Sequence, residues 1–287
     1  MVAIFKKELR SYFNSMIGFI FTAIFLIIVG VFFSVYNLVN GYSNFEYVLD
    51  TIQFLFIIIV PILTMRLVAE ENKQKTDQLL LTSPLSVEKI IFGKYLAVLV
   101  MFLMAMALVM LYPLILMQFG AVQLGTAYSS LFGFTMLGAA FLAIGLFISS
   151  LTENQVIALV ITAVVILFSN LMSGVAAMIP TDHTTAFLIF SVLLIVVCLV
   201  AYLGMQNMML AFSIGIFGEI ALTVIYLVHP AAYDGLVAKA LGCMSIGSRY
   251  SNFVLGIMDL NSIIYYLSII FLFLFFTIQV IKKRRWN

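Results

Sequence analysis

Apolar runs alternate with short polar interruptions along almost the whole chain. A run of about 20 apolar residues crosses the hydrocarbon core of a bilayer as a helix, which rises about 1.5 Å per residue. The runs predict two spans within 16–68, three within 95–178 and a last one at 263–281, with a further helix pair at 187–228. We therefore expect an all-α polytopic membrane protein with about eight transmembrane helices.

The first residues, 2–14, alternate with the period of an amphipathic helix. One side of this helix is apolar and the other polar: Phe5, Leu9, Tyr12, Phe13 and Met16 against Lys6, Lys7, Arg10 and Asn14. This pattern is typical of a helix at a membrane interface. It either anchors the chain on the membrane surface or also contacts a cytoplasmic partner.

The longest polar interruption is Met65–Lys89, between the second and third spans, and together with nearby Lys94 it is net basic. Basic loops stay on the cytoplasmic side of a membrane. An apolar triplet, Leu79 to Leu81, precedes Pro84 in this loop and is expected to insert into a soluble partner.

Small residues are frequent in the fourth span, which permits close packing of helices within or between chains: Gly138, Ala139, Ala143, Gly145 and Ser149. The fifth span carries a polar stripe that either lines a cavity or forms interhelical hydrogen bonds: Thr162, Ser169, Asn170 and Ser173.

The helix pair at 187–228 forms either two spans or a re-entrant hairpin, because its first run is near the lower limit for a full crossing. Glu219 lies near the middle of the second run. A carboxyl group at that depth is either bonded to a neighbouring helix or part of a substrate or proton path. Residues 231–248 then predict an amphipathic helix on the outer surface.

Composition supports a single transmembrane domain over 1–287, since only 9% of the residues are charged, against about 25% in soluble domains. Twelve of the fourteen Lys and Arg residues lie near the N-terminus, in the first polar loop or at the C-terminus. This distribution predicts a plasma-membrane protein with both termini in the cytoplasm. Charges confined to these flanks argue against a nucleic-acid partner, and we expect no metal site.

The chain has no phosphate-binding G-x-x-x-x-G-K-[ST] motif and no hydrolase motif such as H-E-x-x-H or G-x-S-x-G. We therefore expect that it is not an enzyme and holds no cofactor of its own.

Several segments resemble the permease subunits of ABC-2 type exporters, in particular the gliding-motility-associated group. They occur in the order expected for that family: Lys7–Phe13, Met65–Glu71, Leu79–Pro84, Gly93-Lys94, Ser150–Gln155, Tyr265–Leu267 and Arg284–Trp286.

The resemblance implies an exporter permease that works as a dimer with a second, identical or related, permease chain. It implies an N-terminal connecting helix with Lys6, Lys7 and Arg10, and a cytoplasmic coupling helix at about Lys73–Thr82. Two copies of a separate ATP-binding subunit would bind ATP and Mg²⁺ and dock on this loop. The residues expected at the docking site are Glu70, Glu71, Lys73, Thr76, Asp77, Leu79, Leu80, Leu81 and Pro84, and those expected to line the pathway are Thr162, Ser169, Asn170, Ser173 and Glu219.

The chain departs from the family in two places. Lys75 stands where the family usually has glycine, and the helix pair at 187–228 is additional to the usual six-span core.

Two other hypotheses remain open from the residues. The protein could be a proton-coupled secondary transporter that uses Glu219, or a structural membrane component of a surface machine.

Overall fold

A computed structural model describes residues 1–76, 86–205 and 208–286. These residues form α-helices joined by short turns and contain no β-strand. In chain order the helices are α1 Val2–Asn14, α2 Ile17–Phe33, α3 Glu46–Ile52, α4 Phe56–Thr64, α5 Ala69–Gln74, α6 Val87–Val109, α7 Tyr112–Leu116, α8 Leu124–Leu151, α9 Gln155–Met178, α10 His183–Met205, α11 Met208–Val228, α12 Leu236–Met244, α13 Tyr250–Val254 and α14 Leu260–Trp286.

Six helical segments of the described chain are long and apolar enough to cross a membrane. They are Gly18–Val39, Glu46–Gln74, Val87–Leu116, Leu124–Leu151, Gln155–Met178 and Leu260–Arg284, numbered here as spans one to six. The prediction of an all-α polytopic membrane protein is confirmed.

The predicted count of about eight spans becomes six, or seven if a bent pair counts as one span. Among the described residues, His183–Leu199 at the start of this pair is an apolar helical stretch shorter than a full span. The end of α11, Gly215–Val228, qualifies only together with Pro230–Met244, at a bend of 116°.

The chain divides into two compact units. We call residues 1–168 and 246–287 the core unit and residues 169–245 the hairpin unit.

In the core unit, α8 lies at the centre and packs against α4, α6, α13 and α14. It is the most buried of the six spans. Gly145 shows why small residues are needed, because a Cβ atom there would collide with the side chain of Thr64 on α4. The small-residue positions of α8 therefore serve contacts within the chain.

In the hairpin unit, α10 and α11 pack against each other. Ser191 on α10 donates a hydrogen bond to Glu219 on α11, with 2.9 Å between the oxygens. The Tyr233 hydroxyl donates to the Leu222 carbonyl oxygen over 2.9 Å.

The amphipathic helix expected over 231–248 is not continuous. A 3₁₀ turn at Pro230–Tyr233 ends before α12, and Gly235 between them has a positive φ of 67°. The sequence pattern predicts an apolar face made of Tyr233, Leu236, Val237, Ala240, Leu241 and Met244. Of these residues, Tyr233 and Val237 are buried, whereas Leu236 and Met244 are exposed.

The sequence of Asn37–Asp50, which has two acidic and no basic residues, predicts an outer loop, but this segment is partly helical. A π-helical turn extends α2 through Ser34–Val39, and α3 begins at Glu46. The hydropathy pattern places the span boundary after Asp50, but the protein buries Glu46 at 5% exposure as part of span two.

Candidate functional site

The loop between spans two and three begins at a cluster of charged side chains from three helices. Lys94 on α6 is 2% exposed, although a lysine of a soluble protein is almost never fully buried without a partner. Its Nζ atom lies 3.0 Å from Glu8 Oε1 on α1, 2.9 Å from Glu71 Oε2 on α5, and 2.7 Å from the Leu67 carbonyl oxygen. An ammonium group has three N–H donors, so these three acceptors satisfy it completely.

Lys7 extends this cluster to the protein surface. Its Nζ lies 3.2 Å from Glu71 Oε1 and 3.7 Å from Glu8 Oε1. Burial by itself lowers the pKa of Lys7, but the charges of Glu71 and Glu8, and the hydrogen bonds to them, raise it above its ordinary value. We call Lys7, Glu8, Glu71 and Lys94 the inner charge cluster.

Helix α1 reaches this cluster because its buried face is Ile4, Glu8 and Tyr12, three residues at helical spacing. The face is displaced from the apolar side expected from the sequence, where Phe5, Leu9 and Phe13 are half-buried and Met16 is exposed. Gly93 on α6 lets α1 approach closely, since a Cβ atom there would lie 3.2 Å from the Ile4 side chain.

The Tyr12 hydroxyl fixes α1 to span two. It donates a hydrogen bond of 2.6 Å to the Leu63 carbonyl oxygen at the end of α4. Burial raises the pKa of Tyr12 well above its ordinary value, and the nearby Glu8 charge raises it further, so the hydroxyl keeps its proton.

Ser149 near the end of α8 holds the turn from which the loop starts. Its Oγ accepts hydrogen bonds from the backbone N–H groups of Val68 and Ala69 over 3.2 and 3.1 Å. The first N–H groups of a helix lack partners inside that helix, and Val68 has no capping side chain of its own. Ser149 therefore supplies the cap of α5 from another span. The Asn72 side chain adds a bond of 3.3 Å to the Thr152 carbonyl oxygen.

Helix α5 ends at Gln74, and the next residue, Lys75, adopts a left-handed conformation with φ 55°. The tight turn that a glycine usually makes in the resembling family is thus present with a lysine. The coupling helix expected at about Lys73–Thr82 is interrupted at this turn, because a left-handed residue ends a right-handed helix.

The expected docking residues divide between the described and undescribed parts of the chain. Glu71 belongs to the inner charge cluster, and Glu70 forms an ion pair of 3.1 Å with Arg66. Lys73 is exposed, and the Thr76 backbone N–H bonds to the Glu71 carbonyl oxygen over 3.0 Å. Asp77, Leu79, Leu80, Leu81 and Pro84 lie outside the described residues.

On α1, Lys7 joins the cluster, whereas Lys6 and Arg10 are exposed. A pocket of about 330 Å³ lies between α1 and the start of the loop, with Lys7, Glu8, Arg66 and Glu70 among its lining residues.

The residues expected to line a pathway do not share one environment. Thr162 is fully buried in the core unit and bonds to its own helix at the Ala158 carbonyl oxygen. Within the hairpin unit, Ser169 donates to the Met244 carbonyl oxygen over 3.0 Å, Asn170 is half-buried and Ser173 is exposed. Glu219 accepts the bond from Ser191 described above.

Sequence reasoning missed the roles of Glu8 and Lys94. The available signal for Lys94 was a charged residue two turns into α6, directly before the uncharged stretch 95–109. Its partner Glu8 could not be identified, because 86 residues separate them.

Comparison with known proteins identifies the family. A search of curated proteins finds no match. The sequence profile of the family described as "ABC-2 family transporter protein" matches residues 33–232, more than half of the chain. This match includes spans two to five and the loop that starts at the inner charge cluster. The chain therefore belongs to the ABC-2 family of transporter proteins, as a membrane component of a transport system.

Proposed function

We propose that the chain is the permease subunit of an ABC exporter, that it forms the translocation pathway as a dimer, and that a separate ATP-binding subunit docks on the loop between spans two and three. The absence of a phosphate-binding motif supports the need for that subunit, which would bind ATP and Mg²⁺. The gliding-motility-associated group is the finer assignment that the segment pattern favours.

The inner charge cluster is the observation that carries this proposal. It fastens the start of the loop to α1 and α6, and Ser149 fastens it to α8. A force applied to the loop is therefore transmitted to three helices at once. Flexible attachment would instead let the loop move without displacing the spans.

The pocket beside the inner charge cluster supports docking of the ATP-binding subunit at the start of the loop. Its walls carry both signs of charge and lie next to Thr76, the last described residue before the apolar triplet. A partner could place a polar segment here while the triplet provides apolar contact. Apolar anchors surrounded by polar contacts are typical of protein interfaces.

Co-purification tests the docking. The full-length chain is isolated from native membranes, and the ATP-hydrolysing subunit that co-purifies with it is identified. Transport by the two proteins together is then measured in nanodiscs. We expect Leu80→Asp and Leu81→Asp to abolish co-purification, because a charge in an apolar contact must be desolvated. Leu255→Asp, at an exposed leucine outside the six spans, is the matched control. Unchanged binding and transport in both loop variants would refute the docking site.

A variant of Glu219 distinguishes this proposal from the hypothesis of proton-coupled transport. Its bond to Ser191 favours a packing role. We expect Glu219→Gln to leave ATP-dependent transport largely intact. If that variant abolishes transport, and ATP depletion under a maintained proton gradient does not, the secondary-transporter hypothesis replaces ours. If no solute flux is found at all, the hypothesis of a structural membrane component replaces ours.

Cys243 provides a natural probe of orientation, since it is exposed and lies in the segment expected outside. We expect a membrane-impermeant maleimide to label it in intact cells. Lys6→Cys in a Cys243→Ser background should be labelled only after the cells are opened. The reverse pattern would place the loop outside and contradict the proposal.

A further inference from the structure

Helix α1 lies at the level where the apolar part of the core unit begins. It packs against α6 at Gly93, whose Cβ position lies 3.2 Å from the Ile4 side chain, and the uncharged stretch of α6 starts at Tyr95. Farther along α1, the Tyr12 hydroxyl bonds to the Leu63 carbonyl oxygen at the end of the apolar helix α4. A helix in this position runs along the boundary between headgroups and hydrocarbon.

The half-buried apolar side of α1 continues into the exposed surface of span one. Phe5, Leu9 and Phe13 form this side. The rings of Phe13 and Phe19 lie edge to face with 5.3 Å between their centres, and Phe19 on α2 is 59% exposed. This side of α1 therefore borders the membrane together with the start of span one.

Two cations stand next to this apolar side. Lys6 and Arg10 are exposed and lie one helical turn apart, so that they share a face. Lys6 also precedes Phe13 by seven residues, about two turns of 3.6 residues, which places both on nearly the same side of the helix. Like charges four residues apart weaken a helix. An anion bound between them would offset that cost.

The acidic side chains near α1 are engaged with other cations. The carboxylates of the inner charge cluster pair with its two lysines, and Glu70 pairs with Arg66 over 3.1 Å. In the part of the chain that the structure describes, no carboxylate lies within ion-pair distance of Lys6 or Arg10. This face of α1 therefore carries a positive charge that the described residues do not neutralise.

The same side chains line an open groove of about 1210 Å³. Its described lining residues include Lys6 and Arg10 together with Leu9 and Phe13. Cations beside apolar surface match a phospholipid, in which the phosphate group lies next to the acyl chains. Long basic side chains cover apolar surface with their methylene groups while the charge reaches the headgroup.

The headgroup that fits this groove must carry a net negative charge. A zwitterionic headgroup contains its own ammonium group, which cancels the charge of the phosphate. An anionic headgroup leaves the phosphate charge to the protein, and basic residues near a membrane surface are attracted to anionic lipids. An acidic protein segment would also satisfy the two cations, but the position of α1 at the membrane boundary favours lipid.

We propose that Lys6 and Arg10 bind the headgroup of an anionic phospholipid, while Leu9 and Phe13 contact its acyl chains. Arginine holds a phosphate group through two parallel N–H donors, and lysine adds a compact point charge. This lipid contact goes beyond the transport proposal and does not require the ATP-binding subunit.

The test uses the purified full-length chain in liposomes, without an ATP-binding subunit. Trp286 is the only tryptophan of the chain, so the background Trp286→Phe, Phe13→Trp carries a single fluorescent reporter, on α1. Its quenching is compared between brominated phosphatidylglycerol and brominated phosphatidylcholine with the same acyl chains at matched mole fraction. The ratio of the two gives the preference of this site for the anionic lipid.

The variants placed in this background are Lys6→Gln, Arg10→Gln and the combination of both. The double variant Lys89→Gln, Lys283→Gln removes two exposed lysines from other helices and is the matched control. Lys6→Arg keeps the charge and should keep the preference. Native mass spectrometry of the chain without the reporter substitutions counts the bound lipids in a second arm, which remains informative if the Phe13→Trp background does not fold.

We expect the reporter to be quenched more strongly by phosphatidylglycerol. The preference should fall about fivefold in each single variant and about thirtyfold in the double variant, as for one and two cations at an anionic surface. The control pair should stay close to the background. The proposal fails if both lipids quench equally, if the double variant keeps the preference, or if the control pair loses as much. Quenching by neither lipid would show that this side of α1 faces water or protein, and would also overturn it.

Discussion

Span two buries carboxylates at both of its ends, and the two ends differ in how the charge is balanced. At the Glu71 end, Lys94 contacts two carboxylates and one carbonyl oxygen, and each of its donors has a partner. At the Glu46 end, the Asn44 amide donates to Glu46 and the Gln53 amide to Asp50, and in the described part of the chain neither carboxylate has a cation within ion-pair distance. A fully paired cluster fixes helices in place, whereas carboxylates without a counter-ion contribute no such restraint.

The largest expected effect is that of Lys94→Met. This variant leaves Glu8 and Glu71 without their shared buried partner, and removal of one member of a buried ion pair typically costs about 3–5 kcal/mol. We expect a correspondingly lower free energy of unfolding in detergent. Lys89→Met, at an exposed lysine on the same helix, should be close to wild type. Equal stability of the two variants would show that the inner charge cluster does not hold α1, α5 and α6 together.

The triple variant Lys94→Met, Glu8→Gln, Glu71→Gln should recover most of that loss. Replacing a whole buried charge group by neutral residues is often nearly neutral, because the unpaired charges are gone. A double-mutant cycle measures the coupling between Lys94 and the two carboxylates. Additive losses would mean that these residues act independently.

Gly145→Ala should lower stability by about 1–3 kcal/mol, since overpacking displaces side chains or backbone. The added Cβ atom would press α8 away from Thr64 next to the turn that Ser149 caps. Gly125→Ala on the same helix is the control, because no atom lies within 4 Å of its Cβ position. Comparable unfolding midpoints would argue against close packing at Gly145.

Glu46→Gln should change stability little, or raise it slightly. Among the described residues Glu46 has no ion-pair partner, and the amide keeps the side-chain shape, so no ion pair of the described chain is lost. Chemical unfolding of the protein measures the change. A loss of stability as large as that of Lys94→Met would show that the charges at the two ends of span two are balanced in the same way.

The smallest effect concerns pH. Because the pKa of Lys7 is raised in the folded state, its contribution is present below the ordinary lysine pKa of about 10.5 and is lost only as pH rises through the higher folded value. We expect no Lys7-dependent loss of stability between about pH 7 and pH 9. Lys7→Met measured across that range should differ from wild type by a constant amount. A difference that shrinks within the range would contradict the pairing with Glu71.

Hydropathy and charge were sufficient to predict helices, most spans and the polar loop, because bilayer thickness imposes their length. They did not predict that α3 begins at Glu46, since a charge near a span end looks like a loop until its packing is known. The bend after α11 was not predicted either, because composition does not determine the direction in which the next helix runs. Contacts such as Glu8 with Lys94 depend on tertiary packing, which no local pattern contains.

The inner charge cluster also constrains the order in which the protein can assemble. Glu8 leaves the ribosome 86 residues before Lys94, and the first two spans lie between them. Until α6 is inserted, both Glu8 and Glu71 lack their main counter-ion and must stay hydrated. Docking of α1 is therefore a late step of biogenesis, and a chain truncated before Lys94 should leave its N-terminal helix accessible to protease.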